Sequence, residues 1–205
     1  MHKGALYDRL MHPIEDACLL VWRAKLLDNV YGDVIEVGAG TGANLPHYQS
    51  SVDRLVLAEP NTDMRTRLQA RVAASGRDQV EIIDSSFESL PEADASFDFV
   101  VSTLVLCSVT NLSQSLTEAH RVLKPGGRFV FLEHVAADNH PNHLKWQRRI
   151  EPLWKLVMGN CHLTRQTATA IIETGFVMED TTKESITNTL PIIQSAVRGI
   201  ARKPP

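Results

Sequence analysis

The 205-residue sequence is short of cysteine, aromatic residues, net charge and long apolar runs, and each shortage closes off a class of protein. Its three cysteines, Cys18, Cys107 and Cys161, form no C-x-x-C pair and no even-numbered framework. That pattern argues against a disulfide-stapled fold and suits a reducing compartment. Lys and Arg total 21 against 24 Asp and Glu, a formal charge of −3, so bulk charge does not draw the chain to nucleic acid. No apolar run nears the roughly 18 residues that would span a bilayer. The opening stretch from Met1 to Asp8 lacks the apolar core and small-residue cleavage site of a signal peptide. The expectation is a soluble, cytoplasmic protein with no nucleic-acid partner and no stable membrane insertion.

What is present is an ordinary globular composition, with 43% hydrophobic residues, 11 Gly and 10 Pro. A chain of this length can bury about 70% of its unfolded surface as one domain, 1–205, without metal or disulfide staples. Short apolar runs recur at 33–37, 54–58, 80–83, 97–101 and 128–132, separated by helical or loop-like stretches. Their near-continuous Val, Ile, Leu and Phe content predicts strands buried on both faces, hence an α/β fold on a mainly parallel sheet. Helices are expected from Asn61 to Ser75, Ser113 to Leu123 and Thr164 to Thr174, the last closed by Gly175. Runs at 176–179 and 195–201, joined by a loop containing Pro191, predict a terminal antiparallel hairpin. Residues 1–30 read as cap helices broken near Pro13, and 138–163 as an insertion carrying a helix from Leu144 to Met158.

The first strand runs into Glu36-Val37-Gly38-Ala39-Gly40-Thr41-Gly42-Ala43-Asn44. Glycines there let the chain turn sharply and approach a ligand that a Cβ would displace. Gly38, Gly40 and Ala43 satisfy G-x-G-x-x-A, and Glu59 follows Gly38 by 21 residues, at the end of the second strand. Taken alone this is compatible with a nicotinamide dinucleotide. Four further features shift the reading. Glu36 and Gly42 extend the loop to E-x-G-x-G-x-G; Glu59 stands in Leu57-Ala58-Glu59-Pro60-Asn61-Thr62-Asp63-Met64; the third strand ends in Asp84-Ser85-Ser86-Phe87; and Lys124-Pro125-Gly126-Gly127 announces the fifth.

Over residues 33–135, the core motifs together resemble the class I S-adenosylmethionine-dependent methyltransferases. The resemblance implies a Rossmann-like, seven-stranded, mainly parallel sheet with the last strand antiparallel and helices on both faces. It implies S-adenosylmethionine as cofactor. Glu36, Gly38, Ala39, Gly40, Gly42 and Asn44 would line its methionine and ribose portions, and Glu59, with Pro60, Asn61 and Met64, its ribose. Ser85, Ser86 and Phe87 would flank the adenine, with Thr103 and Leu104 closing the cofactor site. Many members carry Asp where Ser86 stands, leaving the adenine amino group to a backbone carbonyl or Asp84. Segments 103–109, 131–136 and 146–165 resemble, more specifically, the animal alkyl-thiol S-methyltransferases. Those animal proteins carry an N-terminal membrane anchor that this sequence lacks, so a soluble relative is expected.

The partner is then a small-molecule methyl acceptor. Cys107, just past the fourth strand, and His134, at the end of the fifth, are the two candidate catalytic residues. Their plainer readings are a small buried hydrophobe and a packed histidine. A thiol acceptor needs no protein base, because a thiol of pKa about 8.5 is already a few per cent thiolate at neutral pH. An oxygen or carbon acceptor calls for a base, for which His134 is the candidate. Trp146, Leu153, Trp154, Leu156 and Met158 would cover a small apolar molecule. His140 and His143 have a metal-like spacing but no further ligands nearby, so no metal is expected. The rival classes are O-, N- or C-methyl transfer, an NAD-dependent oxidoreductase, and a non-catalytic cofactor-binding subunit.

Overall fold

The computed structural model describes residues 3–205; Met1 and His2, at the start of the opening stretch read above, lie outside them. Seven strands form one sheet: β1 Gly32–Val37, β2 Val52–Ala58, β3 Val80–Ile83, β4 Phe97–Thr103, β5 Leu123–His134, β6 Val177–Ser185 and β7 Ser195–Arg202. Their order is β3-β2-β1-β4-β5-β7-β6. The first five run parallel, and β7 inserts antiparallel between β5 and β6. This is the expected Rossmann-like arrangement with the last strand antiparallel. Strand order reverses between β1 and β4, so the carboxyl ends of these strands and β2 border a crevice of the kind where open α/β sheets bind ligands.

Alternation along the strands sends side chains to two cores. Ile35, Val37, Val56, Val100, Phe129 and Phe131 face helices α4 (Leu112–Val122) and α6 (Thr167–Glu173), which contribute Leu116, Ala119, Val122 and Ile171. Val34, Leu55, Leu57, Phe99, Val101 and Leu132 face the opposite side, covered by α2 (Leu20–Leu27) and α3 (Thr62–Ser75) through Leu26, Leu27 and Leu68. Two caps form as their sequences direct. The side chains of Asn61 and Asn111 accept from the N–H groups of Met64 and Gln114, starting α3 and α4. Gly76 closes α3 in the left-handed conformation.

Several boundaries differ from the sequence reading, and β5 begins at Leu123, five residues before the apolar run read for it. Helix α1 (Lys3–Ile14) runs through Pro13 and passes by a π-helical stretch, Glu15–Leu19, directly into α2, so the helices are joined rather than broken. The missing proline N–H leaves a gap in the hydrogen-bond ladder that a wider turn absorbs. Helix α5 (Pro141–Val157) begins earlier than expected, on a proline whose fixed φ suits a first helical turn. Helix α6 begins later, at Thr167, because the backbone and hydroxyl of Thr164 both donate to Glu151. Strand β6 extends to Ser185 because β7 pairs with it through that residue.

Candidate active site

The glycine loop leaves β1 with Gly38 and Gly40 at φ +59° and Gly42 at +90°, all in the left-handed region. Their surroundings divide them. A Cβ on Gly38 would stand 2.5 Å from Val105 Cγ2, and one on Gly42 2.8 Å from Leu68 Cδ1, so packing alone demands both glycines. A Cβ on Gly40 meets no protein atom nearer than 3.9 Å. Of the three, Gly40 alone presents its missing side chain to open space.

Glu59, buried just beyond β2, holds this loop. One carboxylate oxygen accepts from the Gly40 N–H at 2.7 Å and the other from the Asn61 N–H at 2.8 Å. Burial pushes its pKa up, and those two backbone donors oppose the rise. Each oxygen keeps a second lone pair for a ligand hydroxyl. Arg65 donates to the Glu59 carbonyl and to Asp84, tying the ends of β2 and β3 together.

Beneath the loop lies a buried network that only partly appears in the sequence. Glu36 accepts from Asn44 Nδ2 at 2.9 Å and from the Tyr48 hydroxyl at 2.7 Å. Arg23, on α2 and 3% exposed, donates through Nη1 to Asn44 Oδ1 and Thr103 Oγ1 and grips Glu15 with Nε and Nη2. Desolvation raises the Glu36 pKa to about 7, against the hydrogen bonds from Tyr48 and Asn44 and the attraction of Arg23. Asp8 on α1 accepts from Thr41 Oγ1, Arg67 and Arg71, so the N-terminal helices are strapped over the loop. Arg23 and Tyr48 were missed by sequence reasoning. A single arginine among the apolar residues of α2 is the signal that could have singled out the first.

Several of the side chains expected to line the cofactor have partners within the protein. The side chains of Glu36 and Asn44 are spent on each other, Arg23 and Tyr48, and Ala39 is packed in the core. Phe87, in the turn after β3, is also a core residue, its ring centroid 6.4 Å from that of Phe129. Ser85 is buried and donates to the Ser89 carbonyl, whereas Ser86 stays half-exposed. Pro60 is exposed, Asn61 and Met64 are half-buried at the start of α3, and Thr103 is held by Arg23. Leu104 sits at φ +60°, a strained conformation for leucine, with its N–H donating to the Leu132 carbonyl.

Past Leu104 the chain turns over Glu133, which is wholly buried and accepts from Ser102 Oγ and the N–H groups of Val105 and Cys107. A second segment, 158–165, folds onto this turn. Asn160 donates to the Ser108 carbonyl, the His162 N–H to that of Cys107, and Arg165 to those of Leu106 and Val109. Between them opens an apolar cavity of about 150 Å³, lined in part by Tyr7, Leu104, Cys107, His134, Trp154 and Cys161. Both candidate catalytic residues, Cys107 and His134, meet here. His134 faces Cys161 at 2.7 Å through Nε2, and its Nδ1 is buried without a partner. The expected cover is smaller than read from the sequence. Trp154 and Met158, four residues apart, line the cavity, but Trp146, Leu153 and Leu156 point to solvent. No helix among the described residues is long and apolar enough to cross a membrane.

The family model for a methyltransferase domain matches residues 35–131. Human thiol S-methyltransferase TMT1A is 39% identical over 145 residues, 70% of this chain and 59% of that one. A sarcosine/dimethylglycine N-methyltransferase of Halorhodospira halochloris is 31% identical over 211 residues, covering 97% of this chain and 71% of the relative. The fold matches the solved structure of the YcgJ protein from Bacillus subtilis with a TM-score of 0.73 at 16% identity, over 91% of this chain and 98% of the other. The chain thus spans less than two thirds of its human thiol-methylating relative and more than two thirds of the N-methylating one. On its sheet order, its glycine loop and these similarities, the chain belongs to the S-adenosylmethionine-dependent methyltransferases.

Proposed function

We propose that this chain transfers the methyl group of S-adenosylmethionine to the sulfur of a small apolar thiol. The observation that carries the reading is the apolar cavity between Leu104, Trp154 and the end of β5, lined also by Tyr7, Met11 and Ile14 of the N-terminal helix. The similarity to thiol S-methyltransferases over some 70% of the chain supports sulfur as the accepting atom. The residues suit the cofactor. The open face of Gly40 leaves room for it, and the free lone pairs of Glu59 can accept from ribose hydroxyls. Ser86 would border the adenine, and Asn61 and Met64 the ribose.

When bound, S-adenosylmethionine supplies a sulfonium-activated methyl group, so the protein's work is to align two reactants and exclude water. Glu36, Asn44 and Arg23 act indirectly, by fixing the loop from below. Tyr7, Trp154 and Met158 surround the acceptor with apolar surface. The three unpaired cysteines suit a reducing compartment such as the cytoplasm.

The test is to incubate purified protein with S-adenosylmethionine and a panel of small thiols, phenols, quinols and amines, following S-adenosylhomocysteine and identifying products by mass. Thioether formation from apolar thiols is expected. Turnover confined to phenols, quinols or amines would overturn the sulfur assignment, and the N-methylating relative makes amines the first competitor.

A further inference from the structure

Cys107, His134 and Cys161 come from three separate parts of the chain, the turn after β4, the end of β5 and the segment after α5. Their ligand atoms nevertheless lie within 4.8 Å of one another, the one such group of three or more found among the described residues. The cluster does not satisfy itself. His134 is 7% exposed, and its Nδ1 has no hydrogen-bond partner. The Cys107 thiol lies beside that of Cys161, and its other contacts are weak, at 3.6 Å to the Leu104 carbonyl and 3.4 Å to Ser108 Oγ. Buried polar atoms left in this condition call for an explanation.

We infer that Cys107, His134 and Cys161 form a binding site for one zinc ion, with its fourth position open to the acceptor cavity. Two thiolates and a neutral imidazole are a ligand set that zinc favours, and three protein ligands leave a tetrahedral ion one free position. Two thiolates also cancel the charge of Zn²⁺, which lets a buried, largely apolar site accept it. Zinc bonds of about 2.3 Å to sulfur and about 2.0 Å to nitrogen place ligand atoms some 3.5 to 3.8 Å apart. The ligand atoms, 2.7 Å apart for His134 and Cys161 and all within 4.8 Å of one another, bracket that spacing. Glu133 beneath the Cys107 turn and Arg165 beside it fix the backbone that carries the first ligand.

All three ligands line the acceptor cavity, so the free position faces the acceptor. Resting on the thiol reading above, the occupant is the substrate sulfur. On binding, the thiol S–H bond breaks, its proton passes to solvent and a zinc–sulfur bond forms. A sulfur lone pair then forms the new bond to the methyl carbon of S-adenosylmethionine. The sulfonium carbon–sulfur bond breaks with its electron pair going to S-adenosylhomocysteine, and the neutral thioether leaves the metal.

The experiment loads the metal-stripped, reduced full chain with one equivalent of Zn²⁺ or Co²⁺, with S-adenosylmethionine binding measured by calorimetry as the check on folding. One tightly held zinc per chain is expected. The cobalt form should show thiolate-to-metal charge-transfer absorption and the strong visible bands of tetrahedral Co²⁺, both altered by added ethanethiol. Cys161→Ser and His134→Ala should each weaken cobalt binding by 10-fold or more while cofactor affinity stays within twofold. Wild-type protein that binds cofactor yet shows no cobalt–thiolate absorption overturns the proposal. So does an unchanged spectrum in Cys161→Ser, a spectrum indifferent to ethanethiol, or thioether formation at full rate by metal-free protein. If cobalt and thiol bind as expected but methyl reaches only phenols or amines, the zinc site stands and the sulfur assignment above falls.

Discussion

The two halves of the site are built in different ways. The cofactor side is local: Glu36 to Met64 is a single stretch in which Glu59 clasps Gly40 and Asn61 through backbone N–H groups. The acceptor side is assembled from afar, as 158–165 bonds to 104–109 and His134 lies 27 residues from its neighbour Cys161. A local site survives drift in the rest of the chain, while an assembled one depends on every segment that reaches it. Substitutions on the first should alter ligand affinity with modest effects elsewhere, and those on the connecting network should cost stability as well.

The sharpest way to break that contrast is Arg23→Ala, which leaves Glu15 and Glu36 without their buried cation. Removing one member of a buried ionic network typically costs about 3 to 5 kcal/mol, and chemical denaturation should register a loss of that order together with weaker cofactor binding. Gly40→Val should do the reverse. It places a side chain in open ligand space at φ +59°, so calorimetry should find cofactor affinity reduced at least 100-fold in a protein whose circular dichroism still reports the sheet. Gly38→Ala sharpens the point, because its Cβ meets Val105 and should cost stability first. Glu59→Ala comes next. Charge-assisted hydrogen bonds of about 1.5 to 3 kcal/mol each correspond to binding weakened roughly 10- to 100-fold or more. Undiminished affinity would remove Glu59 from the ribose.

The smallest effect is a pH dependence. Glu36 titrates near pH 7 in the folded protein and near 4.5 when unfolded, so the folded state holds the extra proton between those values. Its contribution to stability is fully present below about pH 4.5 and is lost as pH rises through 7. Denaturation midpoints measured from pH 5 to 8 should fall more steeply in wild type than in Glu36→Gln. Parallel profiles would show that the carboxylate is ionised throughout and that Arg23 dominates its environment.

Much of this was legible without coordinates wherever the physics is short-ranged. The apolar runs announced five of the seven strands to within two residues, with β5 and β6 markedly short, and the Asn cap of α3 was written in place. The glycine loop and Glu59 could be paired because consecutive strands put them side by side. Motifs do not show which partners a side chain finds inside the protein: Phe87 packs in the core, and Asn44 donates to Glu36 beneath the loop. Pro13 was read as a break, although a π-helical stretch carries the helix past it.

The sequence by itself determined the mainly parallel sheet and the glycine loop, because periodicity, capping and close backbone approach act between residues near one another along the chain, and its motifs carried the resemblance to the family. Only the tertiary structure decided that Arg23 and Tyr48 support the loop, that Glu133 anchors the turn before Cys107, and that two cysteines and a histidine meet at the acceptor cavity. Those contacts join segments whose separation follows no period and no motif. What brings them together is the burial of the sheet's two faces, a property of the whole chain that no single stretch encodes.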